Sequence, residues 1–463
     1  MSENFLYEPK SAWSQYAGAE QKKERGLFVE GYRKFLGECK TERETICFVE
    51  TRLREAGFSD DPAGNLFVRP FRGKALFAAR RGTLPLSEGL SLIAAHADSP
   101  RLDLKQRPFF EQGELLLGKT HYYGGIRKYQ WFARPLALHG VLVKENSTRV
   151  EVCIGEDVND PVFCVADLLP HLASKQEELI LKDAFDGERL AIVSGHEPGP
   201  EADEKEETKA AKQALKKAVF AMIQSYFSCE IREEDFITAD LELVPAGPAR
   251  YVGFDRSLIG GYGQDDRICV YTALDALLSS EHLGRTKAVI FWDKEEIGSD
   301  GATGASSRFL SYAIEDLVCA TDKNLSPHHV LLNTQALSAD VTAGIDPDCE
   351  DLHDKHNAAR MGYGPCFSKF TGSRGKYGAS EADAEFFGEI RDCMNRNKVP
   401  WQACELGRVG MGGGGTVALF LASWGMQVID LGPALLGMHS PFELSSCADI
   451  HATRNAYRAF LAL

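Results

Sequence analysis

"KAVIFWDKEEIGSDGATGA", residues 287–305, decides how this chain reads. The run KAVIFW is rich in β-branched and aromatic residues, as a strand buried on both faces is. Two adjacent carboxylates, Glu295 and Glu296, follow it, and after them comes a small, glycine-rich segment. Taken alone, the pair reads as a solvated acidic turn. Adjacent carboxylates repel, however, and the end of a core strand needs no such pair.

Working outward, the preceding "DDRICVYTALDALLSS" (265–280) carries Val270, Ala273, Leu274, Leu277 and Leu278 at helical spacing. Further along, "HHVLLNTQALSAD" (328–340) and "MQVIDLGPALLGMHS" (426–440) read as apolar strands, each followed by a helical or glycine-rich segment. Toward the N-terminus, residues 23–58 predict two amphipathic helices broken near Gly37. Strands follow in "NLFVRP", "GKALFAARRG" and "LSLIAAHADSP". Strands alternating with helices predict an α/β fold, a mixed central sheet flanked by helices on both faces. Residues 103–247 differ, with short alternating segments such as "GELLLGKTHYYGG" and "PLALHGVLVKENSTRVEVCIG" that predict a β-rich module. Inside it, residues 197–224 begin as an acidic, solvated loop and end as an amphipathic helix. The expected organisation is a discontinuous α/β domain, residues 1–102 and 248–463, interrupted by a β-rich insert, 103–247.

Composition narrows the function classes. The chain has 463 residues, long enough for two domains, and its 44% hydrophobic and 26% charged content is that of a soluble globular protein. A formal net charge of −15 argues against a polyanionic nucleic acid partner. No apolar run approaches a membrane span, and the first residues lack the basic end and apolar segment of a signal peptide. Twelve cysteines lack CxxC spacing, and several lie in apolar contexts such as "VFCVADLL" and "EDLVCATD", which reads as reduced core thiols in a cytoplasmic protein.

Ligands of open α/β sheets gather outside the carboxyl ends of the strands. The charged residues ending the predicted strands are His96 and Asp98, Glu295 and Glu296, Asp340, and His439, while Asp265 opens a helix. Each has an ordinary explanation: a lone strand-end histidine is usually hydrogen-bonded, Asp265 suits a helix N-cap, and Asp340 could cap the next turn. Together, two histidines and several carboxylates make an N/O donor set suited to zinc, or to manganese or cobalt.

The stretches "HADSPRLDLK", "DDRICVYTALDAL", "FWDKEEIGSDGATGA", "SAD" (338–340) and "GMHS" (437–440), in this order, resemble the aspartyl aminopeptidase family of dinuclear zinc metallopeptidases, which includes the vacuolar aminopeptidase I of yeasts. The resemblance covers most of the chain, insert included. It implies a zinc-exopeptidase-like fold, a dimerisation role for the insert, and a tetrahedral homododecamer. It also implies two Zn2+ ions per subunit, replaceable by Mn2+ or Co2+. His96 and Asp340 would be terminal ligands of one ion, Glu296 and His439 of the other, with Asp265 bridging and Asp266 the competing candidate for that place. Glu295 would be the general base and Asp98 the hydrogen-bond partner that orients His96. His171, in "DLLPHLASKQ", would reach a neighbouring subunit's active site. Lys369, in "GYGPCFSKFTGSRGKYG", is the nearest match to the family's basic pocket residue, offset by one position, so hydrolysis of N-terminal residues is expected more firmly than a preference for acidic ones. The segment "DVTAGIDPDCEDLHDKH" lacks the histidines of animal members. The glycine-rich "GRVGMGGGGTVALFLASWG" reads as a close-packed loop before a helix. The competing function classes are another dinuclear amidohydrolase (a deacylase or carboxypeptidase) and a non-catalytic scaffold.

Overall fold

The computed structural model describes residues 6–197 and 214–463; apart from Glu197, the acidic half of the 197–224 segment lies outside them. The chain divides into two compact units, one comprising Met1–Ser99, Ala249–Met438 and Phe442–Leu463, the other Pro100–Pro248 with His439–Pro441.

The first unit is built on an eight-stranded mixed sheet. Its strands run in the order Leu66–Phe71, Ala75–Arg80, Thr286–Trp292, Leu90–His96, Gln335–Ser338, Gln427–Gly432, Cys366–Ser368, Gln402–Ala403. The middle four, from Thr286–Trp292 to Gln427–Gly432, are mutually parallel. Both Thr286–Trp292 and Leu90–His96 are buried along their whole length, which explains why they read as continuous apolar runs. Their side chains still alternate between two cores. Ile93, Ala95, Val289 and Phe291 face a cluster with Phe35, Val49, Leu274 and Phe460, whereas Leu92, Ala94, Ile290 and Trp292 face one with Phe309, Ile314 and Leu421. The helices covering the first face include Ala19–Glu38, Glu42–Glu55, Gln264–Ser279 and Cys447–Leu461; the second is covered by Phe309–Thr321, Pro327–Leu332 and Ala418–Ala422. The architecture is the α/β sheet flanked by helices that the pattern predicts.

One local expectation is refined and two change. The two N-terminal helices part at residues 39–41, just beyond Gly37. There Thr41 caps the second helix and Glu44 reaches back to the Thr41 amide at 3.0 Å, a reciprocal pair that fixes the boundary. "HHVLL" is helix and not strand: Pro327 occupies the first turn of Pro327–Leu332, and the strand begins only at Gln335. Of the cysteines read as core thiols, Cys319 is exposed and Cys164 half-buried, because each lies on the outward side of its element. A smaller five-stranded sheet, in the order Arg250–Val252, Leu258–Gly261, Glu443–Ser446, Ala434–Leu436, Thr342–Ala343, completes this unit. It pairs Gly261 with Glu443.

The second unit is a seven-stranded, wholly antiparallel sheet in the order Arg149–Ile154, Leu136–Val143, Asp240–Pro245, Arg101–Gln112, Leu115–Tyr123, Ile192–Gly195, Cys164–Val165. Phe220, from the helix Ala214–Phe227, packs edge-on against Phe109 and Phe236.

Candidate metal centre

Register brings the candidate residues of the first unit to one edge of the sheet. Trp292 pairs with His96, and the Ala97 amide continues the ladder to the Trp292 carbonyl at 2.8 Å. On the other side Ser338 pairs with Ala94, and the Ala339 amide reaches the Ala94 carbonyl at 2.7 Å. His96, Glu295 and Asp340 therefore leave three adjacent parallel strands at the same end.

The Glu-Glu turn is held tightly. Lys294 takes a left-handed conformation (φ 70°), which swings the chain out of the strand into a single helical turn, Glu295–Ile297. The turn closes through the Ser299 amide to the Lys294 carbonyl at 2.6 Å. Beneath it, buried Asp293 accepts the Thr303 hydroxyl at 2.8 Å and the Lys294 ammonium. Asp98 does most to orient the turn: its two carboxylate oxygens accept the amides of Glu295 and Glu296, each at 3.2 Å.

His96 is 1% exposed. Its Nδ1 lies 3.0 Å from the Asp98 carbonyl and 3.3 Å from the Asp98 carboxylate. Its Nε2 points the other way, 3.1 Å from Asp265, 3.9 Å from Asp340 and 4.0 Å from Glu295. Burial alone would lower the imidazole's pKa, but the carboxylates of Asp265 and Asp98 outweigh it and hold it well above the usual histidine range. Asp340 is pushed well above the carboxylate range by burial and by Asp266; Asp266 rises likewise through burial, with Asp265 adding to the effect.

The helix beginning at Gln264 starts irregularly. Asp265 (φ −78°, ψ 106°) and Asp266 (φ −118°, ψ 27°) are not helical, so the regular helix starts only after them. The Asp265 carboxylate is turned toward His96. The glycine of the neighbouring strand is equally constrained: a Cβ on Gly432 would stand 2.0 Å from the Asp340 carbonyl oxygen.

At this end of the sheet, two trios have donor atoms within 4.8 Å of one another: His96, Asp265 and Glu296, and His96, Asp266 and Asp340. Nitrogen and carboxylate oxygen atoms about 2 Å from a zinc ion span such distances. So many carboxylates, buried around one imidazole, are costly without a cation among them. The donor set therefore fits a divalent metal. Asp266, the competing candidate for the bridging place, enters one trio; only the fold brings it beside Asp340.

The other predicted residues lie outside these trios. His439 belongs to the second unit, in a left-handed conformation (φ 64°), with Nδ1 2.9 Å from the Gly125 carbonyl. His171 is exposed in the short turn Pro170–Leu172. Lys369 is exposed after the strand Cys366–Ser368, with its ammonium 4.0 Å from Glu381. Sequence reasoning missed Ser99 and Glu443, both buried and bonded to the Asp265 backbone. Ser99 was visible within "HADSP"; Glu443 carried no signal.

Comparison with known proteins identifies the family. The profile of the family described as "Aminopeptidase I zinc metalloprotease (M18)" matches residues 35–461. A relative from Clostridium acetobutylicum, described as a probable M18 family aminopeptidase 1, is 44% identical over 100% of both chains. A crystal structure of an M18-family aminopeptidase from Thermotoga maritima is 45% identical, with a TM-score of 0.91 over 99% of this chain and 100% of that one. The S. cerevisiae mApe1 dodecamer structure, 21% identical, shares the fold with a TM-score of 0.74 over 95% and 97% of the two chains.

Proposed function

Because the chain belongs to the M18 family of zinc metalloproteases and is a metalloaminopeptidase, a hydrolase acting at peptide N-termini, we propose that it holds two zinc ions per subunit, replaceable by Mn2+ or Co2+. His96 and Asp340 would ligate one ion, Glu296 and His439 the other, with Asp265 shared between them. The observation that carries this is the convergence of the His96, Asp265, Glu296 and Asp340 donors at one sheet edge. Asp265 is favoured over Asp266 as the shared ligand because it is the closer contact of His96 Nε2, at 3.1 Å.

Zinc ions bound there would polarise the scissile carbonyl and make water a nucleophile near neutral pH. The protein's own groups do the rest. Glu295, whose carboxylate is oriented by the Asp98-anchored turn, takes the proton of the attacking water and delivers it to the leaving amine nitrogen. Asp98 fixes the ring of His96 through Nδ1, so that Nε2 faces the donor cluster. His171 is proposed to act in a neighbouring subunit, donating a hydrogen bond to the oxygen on which charge develops. Its exposure is compatible with that use. Lys369 is proposed to contact the substrate's N-terminal side chain. The antiparallel unit is proposed as a dimerisation module within a tetrahedral homododecamer, supported by the dodecamer named for the yeast relative. Peptides in the cytoplasm are the proposed substrates; among the described residues no helix is long and apolar enough to cross a membrane.

The test pairs metal analysis with a substrate scan. Unblocked dipeptides and amino-acid p-nitroanilides should be cleaved with two zinc ions bound. Glu295→Gln should keep both ions and lose turnover by about 100- to 10,000-fold. Cleavage of N-acylated substrates alone, or full turnover by Glu295→Gln, would overturn this assignment.

A further inference from the structure

The backbone of Asp265 is gripped from both sides by side chains distant in sequence. Its amide donates to Glu443 Oε2 at 3.2 Å, and its carbonyl accepts the Ser99 hydroxyl at 2.7 Å. The same Glu443 oxygen takes the Gln264 amide at 2.6 Å. Gln264 is itself fully engaged: its Nε2 donates to the Glu443 and Ile259 carbonyls at 2.7 and 3.2 Å, and its Oε1 accepts the Tyr32 hydroxyl at 3.1 Å and that of Ser445. Ser99, Gln264, Asp265, Glu443 and Ser445 are all buried. The strand pairing of Gly261 with Glu443 sets the carboxylate under this turn.

A helix normally holds its residues through its own ladder, but the non-helical dihedrals of Asp265 and Asp266 take them out of that regularity. The position of the Asp265 carboxylate thus depends on these side-chain bonds. Placing a negative charge next to a site already crowded with carboxylates is unfavourable. Its return is a pair of charge-assisted hydrogen bonds to consecutive amides, stronger than a neutral acceptor would make. Asp98 does the same for Glu295 and Glu296. The two anchors also share short segments with the proposed histidine ligands: Ser99 follows His96 in "HADS", and Glu443 follows His439 in "HSPFE". Each ties the turn of the shared carboxylate to a segment bearing a histidine.

We infer that Ser99 and Glu443 are positioning residues that hold the Asp265 main chain in place and thereby set the affinity of the centre for its metal ions. The inference rests on the reading of Asp265 as a ligand. It is tested on the full chain by zinc titration against a competing chelator and by the visible absorption of the Co2+-loaded protein, neither of which requires turnover. Ser99→Ala removes one hydroxyl; Glu443→Met keeps the length and removes the acceptor. Each should weaken metal binding about 10- to 100-fold and shift the Co2+ bands, with the thermal midpoint of the metal-free Ser99→Ala protein near that of the parent. Should Glu443→Met fail to fold, Ser99→Ala carries the test. Metal affinity within twofold of the parent for Ser99→Ala overturns the inference. Asp265→Asn separates the two levels: parent-like binding of two ions there overturns the ligand assignment, whereas weakened binding there with parent-like Ser99→Ala overturns only the positioning role.

Discussion

Asp98 faces His96 Nδ1 at 3.3 Å while its carboxylate also accepts the amides of Glu295 and Glu296. One side chain thus sets the ring of a proposed ligand and the turn that bears both the proposed base and another proposed ligand. Buried carboxylates bonded to a ligating histidine are worth 10- to 100-fold in metal affinity or activity where they have been removed.

Asp98→Ala should therefore lose more than that single-ligand range in kcat, since it releases His96 and the Glu295–Glu296 turn together. Asp98→Asn offers one oxygen and one NH2 to two amides, so it should fall between the parent and Asp98→Ala. Steady-state kinetics with matched metal content checks the order; equal activity of all three proteins would sink the shared-anchor account.

Gly432 should tolerate no side chain. A Cβ there meets the Asp340 carbonyl at 2.0 Å, so Gly432→Ala must displace the strand or the Asp340 segment. A loss of about 1–3 kcal/mol is expected, with weakened metal binding. Gly415→Ala, where nothing lies within 4 Å, is the control and should leave both unchanged. Calorimetry and metal titration distinguish the two variants.

His451 should make the fold acid-sensitive. Burial holds its pKa down, from 6.5 to about 4, against the opposing pull of Glu24. In the unfolded chain the ring protonates near 6.5, so between about pH 6.5 and 4 the unfolded state binds the extra proton. The ring's contribution is complete above pH 6.5 and is lost as the pH falls toward 4. By pH 5 the loss is about 2 kcal/mol. Thermal midpoints at pH 7.5 and 5 should drop further for the parent than for His451→Gln; identical drops would refute the assignment.

Metal removal should lower stability. An ion bound only by the folded chain adds about 2.7 kcal/mol per site when its free concentration is 100 times Kd. Dialysis against a chelator should depress the melting midpoint, and zinc should restore it. A midpoint indifferent to both treatments would mean that the buried carboxylates are balanced in some other way.

Much of this was legible in the chain itself, because period-2 and period-3.6 apolar patterns report directly on burial. "LSLIAAHAD" and "KAVIFWDKEE" read as buried strands ending in donors, and they are neighbours paired in register, with His96 opposite Trp292. Parallel pairing then requires their charged ends to emerge together, so the candidate site follows from the strand pattern and the order of the motifs. Short segments were harder. "HHVLL" is apolar enough for either structure, and only Pro327 at its start marks the helix.

What tertiary structure decided is which carboxylates stand together and what holds them. Asp265 and Asp266 are adjacent in the chain and chemically identical, yet one faces His96 and Glu296 and the other His96 and Asp340. The two differ in backbone angles, and the Asp265 main chain is bonded by Ser99 and Glu443, which lie 166 and 178 residues from it. Local patterning records which residues avoid water. It carries no record of hydrogen bonds between distant segments, because those bonds form only once the sheets have set the register.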